Sequence, residues 1–193
     1  MDFAVALRNQ SLSLISGRAH YDEVVAAVLA ARSSVWIATA NLKELLIEDG
    51  NAVPGRRRAR GRPSYRSVLE PMAELAARGV ELRILHAALP SRAFRDAFDG
   101  LPALVRGGLE LRACGRVHLK TVIVDGGFAY VGSANWTGAG MGVKRSERRN
   151  FELGVITRDE AMLDAVQALY DHIWQGAACA TCGLRKKCEA PIA

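Results

Sequence analysis

His118-Leu-Lys120-Thr-Val-Ile-Val-Asp125, followed after six residues by Gly132-Ser133-Ala-Asn135, is the stretch from which this 193-residue chain is best read. Thr121 to Val124 is a β-branched run, so a strand is predicted from Leu119 to Asp125. Strand side chains alternate faces, which puts His118 and Lys120 on one face. Asp125-Gly126-Gly127 supplies a tight turn, because glycine tolerates positive φ and aspartate favours turns. Phe128 to Val131 reads as the returning strand. Ser133 and Asn135 then share one face near its end. Paired in register, the hairpin gathers an imidazole, an ammonium, a hydroxyl and a carboxamide around one anion.

That set of groups suits attack on a phosphodiester. A neutral imidazole is a competent nucleophile near neutral pH, and a second histidine can protonate the leaving oxygen. Lys120 offsets phosphate charge as a point cation with three donors. Ser133 and Asn135 can donate to the non-bridging oxygens. None of these roles needs a metal.

The spacing H-x-K-x4-D-x6-G-S-x-N resembles the HKD motif of the phospholipase D superfamily at each specified position: His118, Lys120, Asp125, Gly132, Ser133 and Asn135. Asn150-Phe-Glu152 resembles the N-x-E segment that family members often carry on the next strand, which implies that Glu152 hydrogen-bonds and orients the catalytic histidine. Val35 to Asn41 and Gly79 to Leu85 look like the family's early strands, so the resemblance spans most of the chain. The family's centre needs two motifs facing each other. The other histidines are His20, His86 and His172, and none is followed by lysine two residues on and aspartate five further. The length suits one domain. The resemblance therefore implies a symmetric homodimer with one motif from each protomer.

Composition narrows the partners. Half the residues are hydrophobic, 24% are charged and the net charge is +6, a globular composition suited to a polyanionic partner. Arg56, Arg57, Arg58, Arg60, Arg62 and Arg66 crowd a segment with no acid between Asp49 and Glu70. Glycine and proline break any helix there, so residues 50–66 read as a basic loop. Arg56, Arg57 and Arg58 are expected to grip nucleic-acid phosphates, and anionic lipid headgroups would also satisfy them. Lys144 and Arg145, with Arg148 and Arg149, are expected to flank the substrate beside the motif. No apolar run is long enough for a transmembrane segment, and the first residues do not read as a secretion signal, so a cytoplasmic protein is expected.

Strands alternate with helices along the rest of the chain. Ser11–Ile15, Ser34–Asn41, Val80–His86, Leu109–Ala113 and Phe151–Thr157 read as strands. His20–Arg32, Ser67–Arg78, Pro90–Phe98 and Arg158–Trp174 read as helices, the last with Met162, Val166, Leu169 and Ile173 as its buried stripe. This order predicts a phospholipase D-like α/β sandwich: a mixed central sheet flanked by helices, with a single HKD motif. Residues 1–176 form the expected catalytic domain and residues 177–193 a cysteine-rich tail.

Cys179, Cys182 and Cys188 follow a C-x2-C-x5-C spacing, and the fourth cysteine, Cys114, lies just before His118. Clustered thiols in a cytoplasmic chain suggest metal rather than disulfides. A tetrahedral site needs a fourth ligand, for which Cys114 and His172 are the candidates. Zinc suits such a site. The spacing also resembles the iron–sulfur staple of certain DNA-processing nucleases of a different fold, so a [4Fe–4S] cluster is the other expectation, structural in either case.

The expected activity is hydrolysis of nucleic-acid phosphodiesters, DNA or RNA, through a phosphohistidine on His118. The alternatives are a lipid phosphodiesterase with the same chemistry, and a non-catalytic nucleic-acid-binding module.

Overall fold

The computed structural model describes residue 4 and residues 11–48, 64–188 and 190–192. Nine strands lie in these regions: β1 (Leu12–Ser16), β2 (Ser34–Thr39), β3 (Leu46–Glu48), β4 (Tyr65–Ser67), β5 (Glu81–His86), β6 (Glu110–Ala113), β7 (Thr121–Val124), β8 (Phe128–Gly132) and β9 (Leu153–Thr157). The α-helices are α1 (Ala26–Leu29), α2 (Leu69–Ala77), α3 (Arg92–Asp99) and α4 (Glu160–Trp174). α1 is entered through a wider π-helical segment, His20–Val25, so the predicted single helix is two types of turn in series.

Seven strands form one mixed sheet in the order β1-β9-β8-β7-β2-β5-β6. β2, β5 and β6 run parallel, while β7, β8, β9 and β1 are antiparallel to their neighbours. The predicted hairpin is β7–β8, paired Thr121↔Val131 to Val124↔Phe128. β3 and β4 form a separate two-stranded ribbon that the sequence reading missed. It takes Arg66 out of the basic loop: Arg66 lies opposite Ile47 and its guanidinium is 3.4 Å from Glu74.

Alternation divides the sheet into two faces. One carries Val35, Ile37, Ile84, Val122, Val124, Tyr130 and Ile156, buried against Val24, Val28, Leu69, Met72, Leu75 and Phe94. The other carries Ala38, Leu85 and Ile123 beneath Tyr170 and Trp174 of α4. Trp36, Tyr170 and Trp174 stack in series, with Arg83 and Arg112 against the Trp174 ring. The buried residues of α4 are Leu163, Tyr170 and Trp174; of the predicted stripe, Val166 and Ile173 pack half-buried against the same cluster, while Met162 and Leu169 lie outside it. The aromatic rings bury more apolar area than the aliphatic residues beside them, and this turns the helix.

Face two is only partly covered. Register puts Leu12 and Leu14 of β1 on the same side as Leu153, Val155 and Thr157 of β9. Leu12, Leu14 and Leu153 are 48%, 69% and 56% exposed, and Phe151 just before β9 is fully exposed.

Candidate active site

The motif residues meet at one end of the sheet. β7 begins opposite Ala38, at the carboxyl ends of the parallel strands β2 and β5, where open α/β sheets bind ligands. β8 ends there too, with the Gly132 N–H donating to Lys120 O at 3.1 Å. β9 starts beside it, Gly154 facing Gly132.

His118 is exposed at this end, directly ahead of β7. The Lys120 ammonium donates to the His118 carbonyl oxygen at 2.8 Å and lies 3.2 Å from both imidazole nitrogens. Burial pulls the Lys120 pKa below its ordinary value, while the negative charge of Glu152 opposes that shift. Ser133 donates to Glu152, and its oxygen accepts the Leu153 N–H at 3.1 Å. Asn150 Nδ2 donates to the other Glu152 oxygen at 3.0 Å. Both oxygens of Glu152 therefore have protein donors, and among the described residues no hydrogen bond joins Glu152 to His118. The resemblance had implied such a bond. The β8–β9 pairing brings Ser133 beside Glu152, so the serine takes it.

Two glycines make this corner possible. A side chain at Gly132 would clash with the Tyr130 hydroxyl and with the Gly154 Cα, and one at Gly154 would clash with the Tyr130 ring. The fully buried Tyr130 thus lies across both glycines and accepts the Ala134 N–H at 3.2 Å. Burial pushes the Tyr130 pKa up to about 12. Tyr130 fixes the strand end from which Ser133 projects.

Asn135 faces the end of β2. Its Oδ1 accepts the Asn41 N–H at 3.0 Å, with the Thr39 hydroxyl at 3.2 Å. Asp125 is elsewhere. Five residues along an extended chain place it on the order of 16 Å from Lys120, at the opposite end of the sheet. There it adopts φ 53° and accepts from the N–H groups of Arg32 at 3.0 Å, Ser33 at 2.7 Å and Ser34 at 2.9 Å, and from the Ser33 hydroxyl at 3.0 Å. It ties the turn before β2 to the β7–β8 turn and cannot touch a ligand held by His118.

Lys144 and Arg145 are exposed on the loop that leaves the site after Ser133 and returns to it at Asn150 and Glu152. Arg56, Arg57 and Arg58 lie outside the described residues. An open cleft of about 370 Å³ lined by Ser16, Gly17, Ser133, Asn150, Phe151, Glu152 and Leu153 adjoins the site.

The sequence reading missed His20. It is fully buried, its Nδ1 is 3.2 Å from the Gly17 carbonyl, and its ring stands edge-on to Tyr130 at 5.4 Å. Burial lowers its pKa, against the opposing pull of the Gly17 carbonyl and Glu152. A histidine within a helix-like stretch gives no signal of burial behind a catalytic corner.

The cysteines converge away from this cleft. Cys114, Cys179, Cys182 and Cys188 all line one cavity of about 310 Å³ between the end of β6 and the tail. His172 does not line it, and its Nε2 is buried without a hydrogen-bond partner. All four cysteines are free thiols, and among the described residues no three Cys, His, Asp or Glu side chains are placed to hold a single metal ion.

Residues 24–174 match the family described as cardiolipin synthase, PLD-like domain. Cardiolipin synthase A of Pseudomonas aeruginosa is 37% identical over 98 residues, covering 49% of this chain and 19% of the relative. The chain thus matches only about a fifth of those curated relatives. Among solved structures, NucT from Helicobacter pylori superposes with a TM-score of 0.59 at 16% identity, covering 85% of this chain and 95% of that one. Nuc from Salmonella typhimurium, a phospholipase D family member, superposes with a TM-score of 0.56 at 18% identity over the same shares. The archaeal chromatin protein TrmBL2, described for a novel mode of DNA binding, has a TM-score of 0.50 at 14% identity, over 86% of this chain and 53% of that one.

Proposed function

The chain belongs to the phospholipase D-like family, and from that membership we propose that it hydrolyses nucleic-acid phosphodiesters at a site completed by a second copy of itself. The observation that carries this reading is the pairing of Lys120 with His118 at the same sheet end as the Ser133–Glu152–Asn150 network. His118 attacks phosphorus, forming a phosphohistidine and releasing the leaving oxygen, which takes a proton from the partner's His118. Water then cleaves the N–P bond, with the same partner imidazole as base. Lys120 and the Asn135 amide stabilise the charge that gathers on the phosphoryl oxygens. Ser133 and Glu152 keep the strand end in place.

Two features support the paired site. The chain supplies one motif, and the uncovered Leu12, Leu14, Leu153 and Phe151 lie on or beside β9, which starts directly after Glu152. Burying that strip against its symmetry mate removes apolar area from water and brings two motifs together. Exposed Lys144, Arg145 and Arg148 beside the site favour a polyanion. We place the protein in the cytoplasm, where its four free cysteines stay reduced.

A second reading, a lipid phosphodiesterase, is favoured by the cardiolipin synthase relatives and by the exposed apolar residues near Glu152. Anionic lipid would then meet the same basic loop. One comparison separates the two readings: purified protein with EDTA is given plasmid DNA, single-stranded DNA, RNA, or phosphatidylglycerol and phosphatidylcholine vesicles. Nucleic-acid cleavage lost in His118→Ala supports the proposal. Lipid headgroup release with inert nucleic acid replaces it with the second reading. Salt-sensitive DNA binding without turnover makes the chain a binding module. As for any cysteine-held metal in the tail, zinc or [4Fe–4S], its role is structural and outside these steps.

A further inference from the structure

All four cysteines of the chain border the same cavity, although three come from the tail and one from the strand before the motif. The cavity also holds the side chains of Arg112, Arg116, Arg185 and Lys187, while Leu89, Ile173, Leu184 and Ile192 close it with apolar surface. The tail is folded onto it by its own bonds: Arg185 donates to Cys179 O at 3.2 Å and to Ile192 O at 2.9 Å.

We propose that this cavity is the seat of a [4Fe–4S] cluster held by Cys114, Cys179, Cys182 and Cys188. The size and the cationic lining of the cavity favour a cluster over a lone zinc ion. Zinc–sulfur bonds of about 2.3 Å draw four sulfurs to within roughly 3.8 Å of one another around the ion, which leaves no space inside the set. Here the four thiols line a cavity of about 310 Å³, far more than one ion occupies. A cubane of iron and sulfide fills such a space and is bound by four cysteine thiolates. Insertion of a preassembled [4Fe–4S]2+ core replaces four S–H bonds by four Fe–S bonds and releases four protons, with no electron transferred. The product carries two net negative charges, matched by the four cationic side chains around the cavity. Cys114 is the fourth ligand, since His172 lies outside the lining.

The cluster ties the tail to the approach to the catalytic motif. The Cys114 N–H donates to His86 O at 2.8 Å, and the Val117 N–H donates to Cys114 O at 2.9 Å, one residue before His118. This position makes the cluster a brace for the segment that aims the nucleophile. That consequence rests on the catalytic reading above, whereas occupancy of the cavity does not.

The test is metal and acid-labile sulfide analysis of the full chain purified without oxygen, with its visible spectrum. The expected result is about four iron and four sulfide per chain, with a broad sulfide-to-iron absorption band that oxygen bleaches. Single Cys114→Ser, Cys179→Ser, Cys182→Ser and Cys188→Ser variants each lose most of the iron and the band, whereas His172→Gln keeps both. Stoichiometric zinc without sulfide, no metal after anaerobic purification and reconstitution with iron and sulfide, or a band that survives Cys114→Ser overturns the proposal. These readouts need no substrate, so a chain that binds the cluster but cleaves nothing contradicts the nuclease reading alone.

Discussion

Lys120 turns back along its own strand to donate to the carbonyl oxygen of His118 at 2.8 Å, so the ammonium and the imidazole of the motif are fixed as one unit. A flexible four-carbon stem ending in a compact cation makes this possible, and a planar guanidinium does not reproduce it. Lys120→Arg is therefore expected to behave nearly like Lys120→Ala. Each should lower turnover by about 10²-fold or more, the scale for removing a preorganised charge stabiliser. Single-turnover cleavage with matched melting curves checks this. Near-wild-type turnover in Lys120→Arg would show that only the charge matters.

Ser133 and Glu152 test a different link. Glu152 takes protons from Ser133 and Asn150, and its charge acts on Lys120. Glu152→Gln keeps the volume but sets an amide against two donors. We expect a fall in kcat of about 10²-fold with KM little changed, because loss of the Glu152 charge disturbs Lys120, the group that stabilises the transition state. A rise in KM alone would move Glu152 to substrate binding.

Asp125 separates motif from mechanism. Burial works against its carboxylate, but the N–H groups of Ser34, Ser33 and Arg32 outweigh burial and hold its pKa below the ordinary value. Asp125→Ala should cost about 1–3 kcal/mol of stability, by loss of hydrogen bonds to an exposed charge, while the folded fraction keeps its turnover. The sign with pH follows. The unfolded carboxyl protonates first as pH falls through about 3.9, so this contribution is intact above that value and lost as pH falls to the lower folded value. Urea titrations of both proteins at neutral and acid pH measure it. A folded Asp125→Ala protein without activity would return Asp125 to the chemistry.

His20 gives the opposite kind of acid sensitivity. It is buried, with its pKa lowered first by that burial. Below about 6.5 the unfolded histidine binds a proton that the folded one refuses, so stability declines from there toward the folded pKa and is fully present above 6.5. His20→Phe keeps the edge-on contact with Tyr130 and removes the titration. Its melting temperature should fall less steeply than that of wild type between about pH 7 and 5. Equal slopes would show that other histidines carry the effect.

These residues also mark how far the sequence could be read. The β-branched run, the Asp125–Gly126 turn and the alternation of His118 with Lys120 were legible because a strand has a short period and a hairpin is local. The site's closing contacts were not. Asn135 meets Asn41, Asp125 meets Arg32 to Ser34, and His20 meets Tyr130, each across the sheet order rather than along the chain. The α4 stripe was misjudged because periodicity weighs Met162 and Leu169 above the aromatic residues whose stacking on Trp36 sets the helix rotation. The cysteine spacing left Cys114 and His172 as candidates to join the three tail cysteines, and only the fold brings Cys114 rather than His172 to the cavity those three line.

The exposed strip on β1 and β9 bears on whether one motif suffices. Leu14, 69% exposed, sits opposite Val155, with Leu12 and Leu153 on the same side. It lies on the edge strand β1, outside the motif hairpin, so a change there is expected to reach the chemistry through assembly. In Leu14→Glu a charge enters the centre of the apolar strip, and pairing two copies would bury two carboxylates against each other. The expected outcome is a monomer by sedimentation with an unchanged melting profile, and turnover down by about the same several orders of magnitude as for His118→Ala. Mixing Leu14→Glu with wild type should not restore it. A monomeric Leu14→Glu protein that cleaves at the wild-type rate would mean that one imidazole both attacks and supplies the proton, or that a different surface joins the two copies.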